Sequence, residues 1–434
     1  MNIAKVRLWG KTIGAVFVPE GQQAAHFEYD KAFQNSGIEI APLTMPLADR
    51  VYTFPNLSYA TFHGLPGLLA DSLPDRFGNA LIDAWLATQG RTPGSFTPIE
   101  RLCYTGTRGM GALEYAPVKG PHARKAKSIS IDHLVSLASE VLSNRNDLDT
   151  RFGTDPEQQD ALRDILRVGT SAGGARAKAV IAWNPHTNEV RSGQVETDPD
   201  FEHWLLKFDG VSGNKDKELE DPRGFGVIEY AYYLMAEKAG ITMSTCRLLD
   251  ENDRRHFMTK RFDRTDNGKK LHMLSLGAMY HFDYNIAGVN SYEQALQTIK
   301  RLELGPEALE EQFRRMVFNI VARNQDDHVK NIAFLMDRTG RWSLAPAFDM
   351  TYSYQPDGAW TGTHQMTVNG KRDNFTLDDL RQCAATVSMK RGRAATILQE
   401  VTKVVSQWPQ FAQQAGLSSI KKTKISKQHR LHIA

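Results

Sequence analysis

The stretch Asn324-Gln325-Asp326-Asp327-His328-Val329-Lys330-Asn331 stands between an apolar helical run and a short hairpin. Upstream, from about Leu309, Phe313, Met316, Val317, Ile320 and Val321 recur at three- and four-residue spacing, which predicts a buried helix. Downstream, Ile332 to Met336 and Arg341 to Leu344 flank Asp337-Arg338-Thr339-Gly340 as a hairpin, followed by Pro346-Ala347-Phe348-Asp349. Carboxylates, amides, a histidine and a lysine thus crowd into one short segment held at both ends by regular structure. Polar side chains gathered on a connection over a rigid scaffold are where chemistry is expected.

Working outward, Val6-Arg7-Leu8-Trp9 and Ile13 to Val18 flank Gly10-Lys11 as an edge hairpin. Leu73-Pro74-Asp75-Arg76-Phe77-Gly78 leads into helical spacing over Ala80 to Leu86. Ala116 to Ser128 is Pro- and Gly-rich, polar and basic, and marks a linker. Beyond it, helices are expected over Leu134 to Leu142 and around Ala161 to Leu166. Strands are expected over Ala179 to Trp183 and Trp204 to Phe208, with Lys207 inside the second. Ile228 to Ala239, closed by Gly240, is a helix with Glu229 near its start. His256 to Phe262 and Lys270 to Leu276 read as a hairpin across Asp266-Asn267-Gly268. The fold class is therefore α+β. The expected division is 1–115, an N-terminal α+β subdomain; 128–265, carrying the Gly/Ser loop and Lys207; 266–420, a largely helical lobe; and 421–434, a basic tail, frayed by its repeated charges.

Bulk properties exclude several classes. The 434 residues, 41% hydrophobic, are enough for more than one core. A net charge of +3 does not announce a nucleic-acid binder. Cys103, Cys246 and Cys383 lie far apart and outside any C-x-x-C spacing, so neither a zinc site nor a disulfide framework is expected. No signal peptide or membrane-length apolar run is seen, and the expected location is the cytoplasm, with no membrane partner.

Phosphoryl transfer from ATP needs a backbone cradle and a lysine for phosphates, oxygens for magnesium, and a carboxylate for the acceptor's hydroxyl proton. The chain offers these in order. Gly169-Thr170-Ser171-Ala172-Gly173-Gly174 can bring backbone N–H groups to phosphate, although by itself it also reads as a plain turn. Lys207 with Glu229 matches a strand lysine held by a helix carboxylate. Asp326 and Asn331 have the Asp-x-x-x-x-Asn spacing of a kinase catalytic loop, the Asp accepting a proton and the Asn facing magnesium. Asp349 then stands where a second magnesium ligand belongs. His328 is read as an orienting hydrogen-bond partner. Lys330 stands either near the developing charge or in solvent.

These motifs resemble the HipA-type serine/threonine kinase toxins of bacterial toxin–antitoxin pairs. The resemblance rests on Asn324-x-Asp326-Asp327-His328-x-Lys330-Asn331, Pro346-Ala347-Phe348-Asp349, Ser171-x-x-Gly174-Ala175-x-x-Lys178, Lys260-Arg261-Phe262-Asp263-Arg264 and Leu69 to Asp75. It covers most of the chain. It implies a protein-kinase-like two-lobed fold and an enzyme using ATP and Mg2+, with Lys207 as phosphate anchor, Asp326 as catalytic base, and Asn331 and Asp349 as magnesium ligands. Lys260 to Asp263, with Phe262, would border the adenine. Ser171, or Thr170 in its place, would be autophosphorylated, adding about 1.5 to 2 negative charges where phosphates should sit and switching the enzyme off. The resemblance further implies a helix-turn-helix HipB-like antitoxin, operator DNA reached through that complex, and a protein substrate such as an aminoacyl-tRNA synthetase, glutamyl-tRNA synthetase being the family's example. Lys390-Arg391-Gly392-Arg393 and the basic tail could contact DNA phosphates, although by themselves they read as solvated surface. The alternatives are a small-molecule kinase and a catalytically weak, DNA-bound corepressor.

Overall fold

Strict alternation in Ile3–Leu8 (β1), with Ala4, Val6 and Leu8 buried and their neighbours exposed, builds the first sheet. β1 pairs antiparallel with Lys11–Phe17 (β2) across a turn at Trp9 and Gly10, both left-handed. His26–Tyr29 (β3), Val51–Thr53 (β4) and Leu113–Ala116 (β5) complete the order β4-β3-β2-β1-β5. This computed structural model describes residues 3–119, 130–143, 165–166, 169, 176–193, 198–211, 215–216, 219–220, 223–265 and 267–434. They form two compact units, the first spanning Met1–Arg223, Arg247–Leu274 and Asp337–Gly340, the second Gly224–Cys246, Ser275–Met336 and Arg341–Ala434.

In the first unit, Arg76–Ala87 (α1) starts on Asp75, whose carboxylate accepts from Gly78 N at 2.8 Å. Pro98–Thr105 (α2) starts on a Thr97/Glu100 capping box. Apolar spacing turns one face of α1, and of Ile131–Ser143 (α3), onto a second antiparallel sheet. That sheet contains Lys178–Trp183 (β6), Val190–Ser192 (β7), Glu202–Lys207 (β8), Cys246–Glu251 (β9) and Arg254–Lys260 (β10), in the order β9-β10-β8-β6-β7. Phe77 and Leu81, Leu134 and Val141, and Ile181, Trp204 and Leu206 meet in one core. Of the expected helix around Ala161 to Leu166, only Ile165 and Leu166 are described, and both are buried.

The expected hairpin across Asp266-Asn267-Gly268 shrinks to a single bridge, Arg264 to Lys270. The reason is competition: β10 lies between β9 and β8, so both its edges are taken. Its hairpin partner is β9, joined through Asn252 and Asp253 at φ 43° and 61°, the left-handed pair of a type I′ turn.

Within the first unit, contacts cross from the N-terminal sheet to the segment after β10. Asp263, with no exposed surface, accepts from Gly111 N at 2.7 Å and pairs with Arg261 and Arg264 at 2.6 and 2.7 Å. Lys270 Nζ reaches Glu114 at 2.8 Å. These contacts join residues 109–114 to 261–270.

The second unit is mainly helical: Phe225–Lys238 (α4), Tyr292–Arg301 (α5), Pro306–Ala322 (α6), Leu377–Ala385 (α7), Arg393–Val405 (α8), Trp408–Gln414 (α9) and Ser419–Ser426 (α10). The long central helix is α6, fully buried at Phe313, Met316, Val317, Ile320 and Val321, as its periodicity predicts. The hairpin after it, Ala333–Met336 (β11) and Trp342–Leu344 (β12), is antiparallel with Phe334 opposite Leu344. The basic tail is not frayed. Residues 419–426 are helical, Ile425 is buried, Arg430 N donates to Val321 O at 2.8 Å, and Leu377 N donates to Ala434 O at 2.8 Å. Its few apolar residues and His429, edge-on to Trp408, outweigh the charge repulsion that the sequence suggests.

Candidate active site

α6 ends because Arg323 adopts φ 61°, a left-handed cap that turns the chain sharply out of the helix. Gln325 N then donates to Ser353 O and Ser353 N to Arg323 O, at 3.0 and 3.1 Å, tying the loop to the segment after Asp349. Asn324 Nδ2 reaches Asn319 Oδ1 at 3.0 Å and the Asp349 carbonyl at 3.3 Å. Asp349 itself stands at φ 53°, a region that a non-glycine residue adopts only when its surroundings demand it. The backbone thus sets the two carboxylates Asp326 and Asp349 in one framework within the second unit.

Asp326 is held at both of its ends. Asn331 Nδ2 donates to its main-chain carbonyl at 2.9 Å, and Trp360 Nε1 donates to its carboxylate Oδ1 at 2.6 Å. With Nδ2 so used, Asn331 has Oδ1 as the atom able to face a cation. Asp327 points the other way and is buried: Tyr292 Oη donates to Oδ2 at 2.7 Å, His364 Nδ1 lies 2.8 Å from the same oxygen, and Gln365 N donates to Oδ1 at 2.8 Å. Burial alone would raise the Asp327 carboxyl, but the His364 ring, Tyr292 and Gln365 outweigh it and hold the group below its usual range. Arg430 Nη1, which can only donate, lies 3.1 Å from His364 Nε2, so Nδ1 must carry the ring proton and donate to Asp327. Behind the loop is a cleft of about 20 Å³, lined in part by Gln312, Asn319, Asn324 and Asp327. Gln312 Oε1 and Asn324 Oδ1 have no partner among the described residues, and the space admits one water.

His328 Nδ1 has no hydrogen-bond partner among the described residues, and its ring rests 6.0 Å from Tyr284. Asp326 accepts hydrogen bonds from Trp360 and Asn331. Lys330 Nζ lies 4.9 Å over the Tyr284 ring, which keeps the ammonium beside the loop rather than loose in solvent. Glu229 is in the second unit too, 2% exposed on α4.

The other expected residues lie in the first unit. Lys207 ends β8 directly opposite Lys178 on β6 and Phe257 on β10, with its Nζ 5.7 Å over the Phe257 ring. Lys178, 2% exposed, lies 3.9 Å from Asp75. A Cβ on Gly169 would meet Leu81 at 2.6 Å and Phe77 at 3.2 Å, so close packing on α1 already requires glycine there. Lys260 Nζ pairs with Glu202 at 3.0 Å, and Phe262 follows in the turn after β10. Thr170, Ser171, Ala172, Gly173 and Gly174 lie outside the described residues. Arg393, in the basic cluster offered to DNA, is committed to Glu310 and Glu400. Sequence reading missed Trp360, Tyr292 and His364. Only Trp360 left a trace, as a lone aromatic between Gly358 and Gly362 in a polar stretch.

The profile of the HipA-like C-terminal domain matches residues 170–408, and that of the HipA N-terminal domain matches residues 4–116. The chain belongs to the HipA family. No curated protein matches it. Among solved structures it resembles HipA from the Shewanella oneidensis MR-1 complex of HipA, HipB and operator DNA, at 16% identity over 98% of this chain and 96% of that one, with a TM-score of 0.67. The α+β fold is therefore that of HipA. A weaker likeness, TM-score 0.34 and 12% identity, links 59% of this chain to 94% of the Helicobacter pylori proinflammatory kinase CtkA. Among the described residues no helix is long and apolar enough to cross a membrane.

Proposed function

We propose that this HipA-family protein is an ATP- and Mg2+-dependent serine/threonine protein kinase. The observation that carries the reading is the framework around Asp326: a carboxylate fixed by Trp360, its carbonyl bonded to Asn331, and Asp349 held in left-handed backbone beside the same helix end.

The donor set fits the cofactor. Asn331 Oδ1 and the Asp349 carboxylate are hard oxygens, and magnesium takes only one or two protein carboxylates when phosphates supply other ligands. When bound, the Mg2+–ATP pair supplies the phosphoryl group and neutralises charge on it. Asp326 would take the proton of the acceptor hydroxyl as that oxygen bonds to the γ-phosphorus and the bond to the departing ADP oxygen breaks. Lys207 is the proposed phosphate anchor, Glu229 is the carboxylate that the motif order offers, and Lys330 offers positive charge next to the developing negative charge. Gly169 to Gly174 cover the phosphates, and Lys260 and Phe262 border the adenine. Ser171, or Thr170, takes the phosphate in self-inactivation.

The HipA–HipB–operator complex among its structural relatives supports a HipB-like antitoxin, and DNA reached through it, as partners. An aminoacyl-tRNA synthetase, such as glutamyl-tRNA synthetase, is the proposed class of protein substrate, and the cytoplasm the proposed location.

The test is to dephosphorylate the protein, incubate it with ATP and magnesium, and map phosphosites by mass spectrometry beside an Asp349→Asn control. Phosphate on Ser171 or Thr170 in the wild type alone is the expected result. ATP binding without any protein phosphate would refute the reading in favour of a small-molecule kinase or a DNA-bound corepressor.

A further inference from the structure

Of the three hydrogen bonds that Asp327 accepts, one comes from a side chain that is itself held from much further along the sequence. Gln365 N is set by the main chain and Tyr292 by the start of α5, but the His364 ring turns about a torsion that is broad and two-fold. Arg430 holds its far nitrogen. Arg430 Nη1 lies 3.1 Å from His364 Nε2, Nη2 pairs with Asp373, and the guanidinium lies 5.6 Å from the centre of the Phe375 ring, which His364 meets edge-on at 5.3 Å. The main chain there is anchored as well: Arg430 N donates to Val321 O at 2.8 Å in the last turn of α6, and Arg323 Nε donates to Gln428 O at 2.9 Å. Residues 428–430 therefore tie the end of α6 to the segment 364–375, from which Asp327 is reached.

We infer that Arg430 is a positioning residue for the proposed phosphoryl transfer: its guanidinium bridges His364 and Asp373, holds the imidazole against Asp327, and so fixes the loop from Asn324 to Asn331 on which Asp326 stands. This rests on the kinase reading above. A guanidinium suits the task because its donors form a rigid planar fork, so one group can hold two partners at fixed angles. Without the fork the ring keeps its bond to Asp327 but loses the contact on its other side, and the loop it steadies spreads over more than one arrangement. Orientation of a reacting group is worth orders of magnitude in rate, so the loss reads out in turnover rather than in nucleotide affinity. The main-chain bond from Arg430 to Val321 survives a change of side chain, which separates this role from the anchoring of the tail's backbone.

The test is a double-mutant cycle of Arg430→Met with His364→Phe, read by transfer of label from γ-labelled ATP to the dephosphorylated chain. Met removes every donor, and Phe keeps a ring against Phe375 but neither nitrogen. Arg430→Lys keeps the charge but not the fork, and repeats the cycle with a milder change. Expected in the Met variant is a fall in maximal rate of about ten-fold, equivalent to about 1.4 kcal/mol, with the KM for ATP and the circular dichroism unchanged. In the His364→Phe background the same substitution should alter the rate less than about two-fold, because Arg430 acts through the ring. Hydrogen exchange over residues 319–335 reads the same coupling without ATP: it should be about ten-fold faster in Arg430→Met and no faster in the double variant than in His364→Phe alone. Losses that multiply in the double variant would overturn action through His364. So would Met and Lys variants at the wild-type rate, or a KM for ATP that rises while the maximal rate holds. A wild type that transfers no label overturns the kinase reading, and exchange then decides the clamp: coupled exchange supports the hold of Arg430 on the loop, and independent effects overturn it.

Discussion

Replacing Asp327 by Asn changes one atom in a buried network and tests whether that network holds the loop from Asn324 to Asn331. The carboxylate accepts from Tyr292, His364 and Gln365 at 2.7, 2.8 and 2.8 Å. Asn keeps one acceptor oxygen, which can serve Gln365 N, but puts an NH2 where Oδ2 stands. Tyr292 Oη already accepts from Asn319 Nδ2 at 3.0 Å, so it can adapt only partly. His364 cannot adapt, because moving its proton to Nε2 would set an N–H against the Arg430 guanidinium 3.1 Å away. Hydrogen bonds to a charged group are worth about 1.5–3 kcal/mol each, so losing the two made at Oδ2 costs about 3–6 kcal/mol. The lower end of that range, about 3 kcal/mol, is the expected loss. The assay is native-state hydrogen exchange on peptides covering 319–335 and 360–368, where exchange in the variant should be roughly 100-fold faster or more at pH 7. Because the folded carboxyl is held below its unfolded value, its contribution is present above the unfolded value of about 3.9 and disappears as pH falls through the folded one. Wild type and variant should therefore converge in acid. A change under five-fold at pH 7, or a difference that persists in acid, would refute the argument that the charged Asp327 organises the loop.

Other consequences follow from the same geometry. Asp349→Asn should lower label transfer from ATP at least 100-fold with no change in circular dichroism, because Asn tolerates φ 53° and only the charge is lost; retained transfer would remove Asp349 from the site. In the first unit, Asp263→Asn leaves Arg261 and Arg264 buried without their anion and should cost about 3–5 kcal/mol in urea denaturation. The two guanidiniums overcome burial and hold the Asp263 carboxyl well below its usual range, so that stability persists above the unfolded value and is lost only in strong acid. Deleting residues 430–434 removes the Arg430 pairing with Asp373 and two backbone bonds, and should accelerate exchange in 321–325 and 377–380 by ten-fold or more, about 1.4 kcal/mol of local stability.

Where a fold feature depends on neighbours in sequence, it could be read before the structure. The apolar period of α6, the Asp75 start of α1, the first hairpin and the β11–β12 hairpin each follow from residues within a few positions. Where it depends on which distant segment competes for an edge, it could not: Asp266-Asn267-Gly268 is a good local turn, but β10 has both edges filled by β8 and β9. The tail shows the same limit, since its charges are visible in sequence while the Tyr232 ring that meets His429 beside Trp408 comes from a helix far upstream.

The site divides along the same line. Residues that would touch phosphate, metal or proton are constrained by chemistry to a few types, so the proposed Asp326, Asn331 and Asp349 can be picked out by type and spacing. The groups that aim them are not so constrained. Any N–H donor of suitable reach could do what Trp360 does at Asp326, and any buried cation or donor could serve Asp327 as His364 does. Both come from the segment after Asp349, whose course is set by hydrogen bonds to Gln325 and Ser353 rather than by local propensity. A sequence motif therefore records the reacting groups of such a site and leaves out what fixes their geometry. Substitutions at Trp360 or His364 should accordingly lower turnover in a chain whose motif residues are all intact.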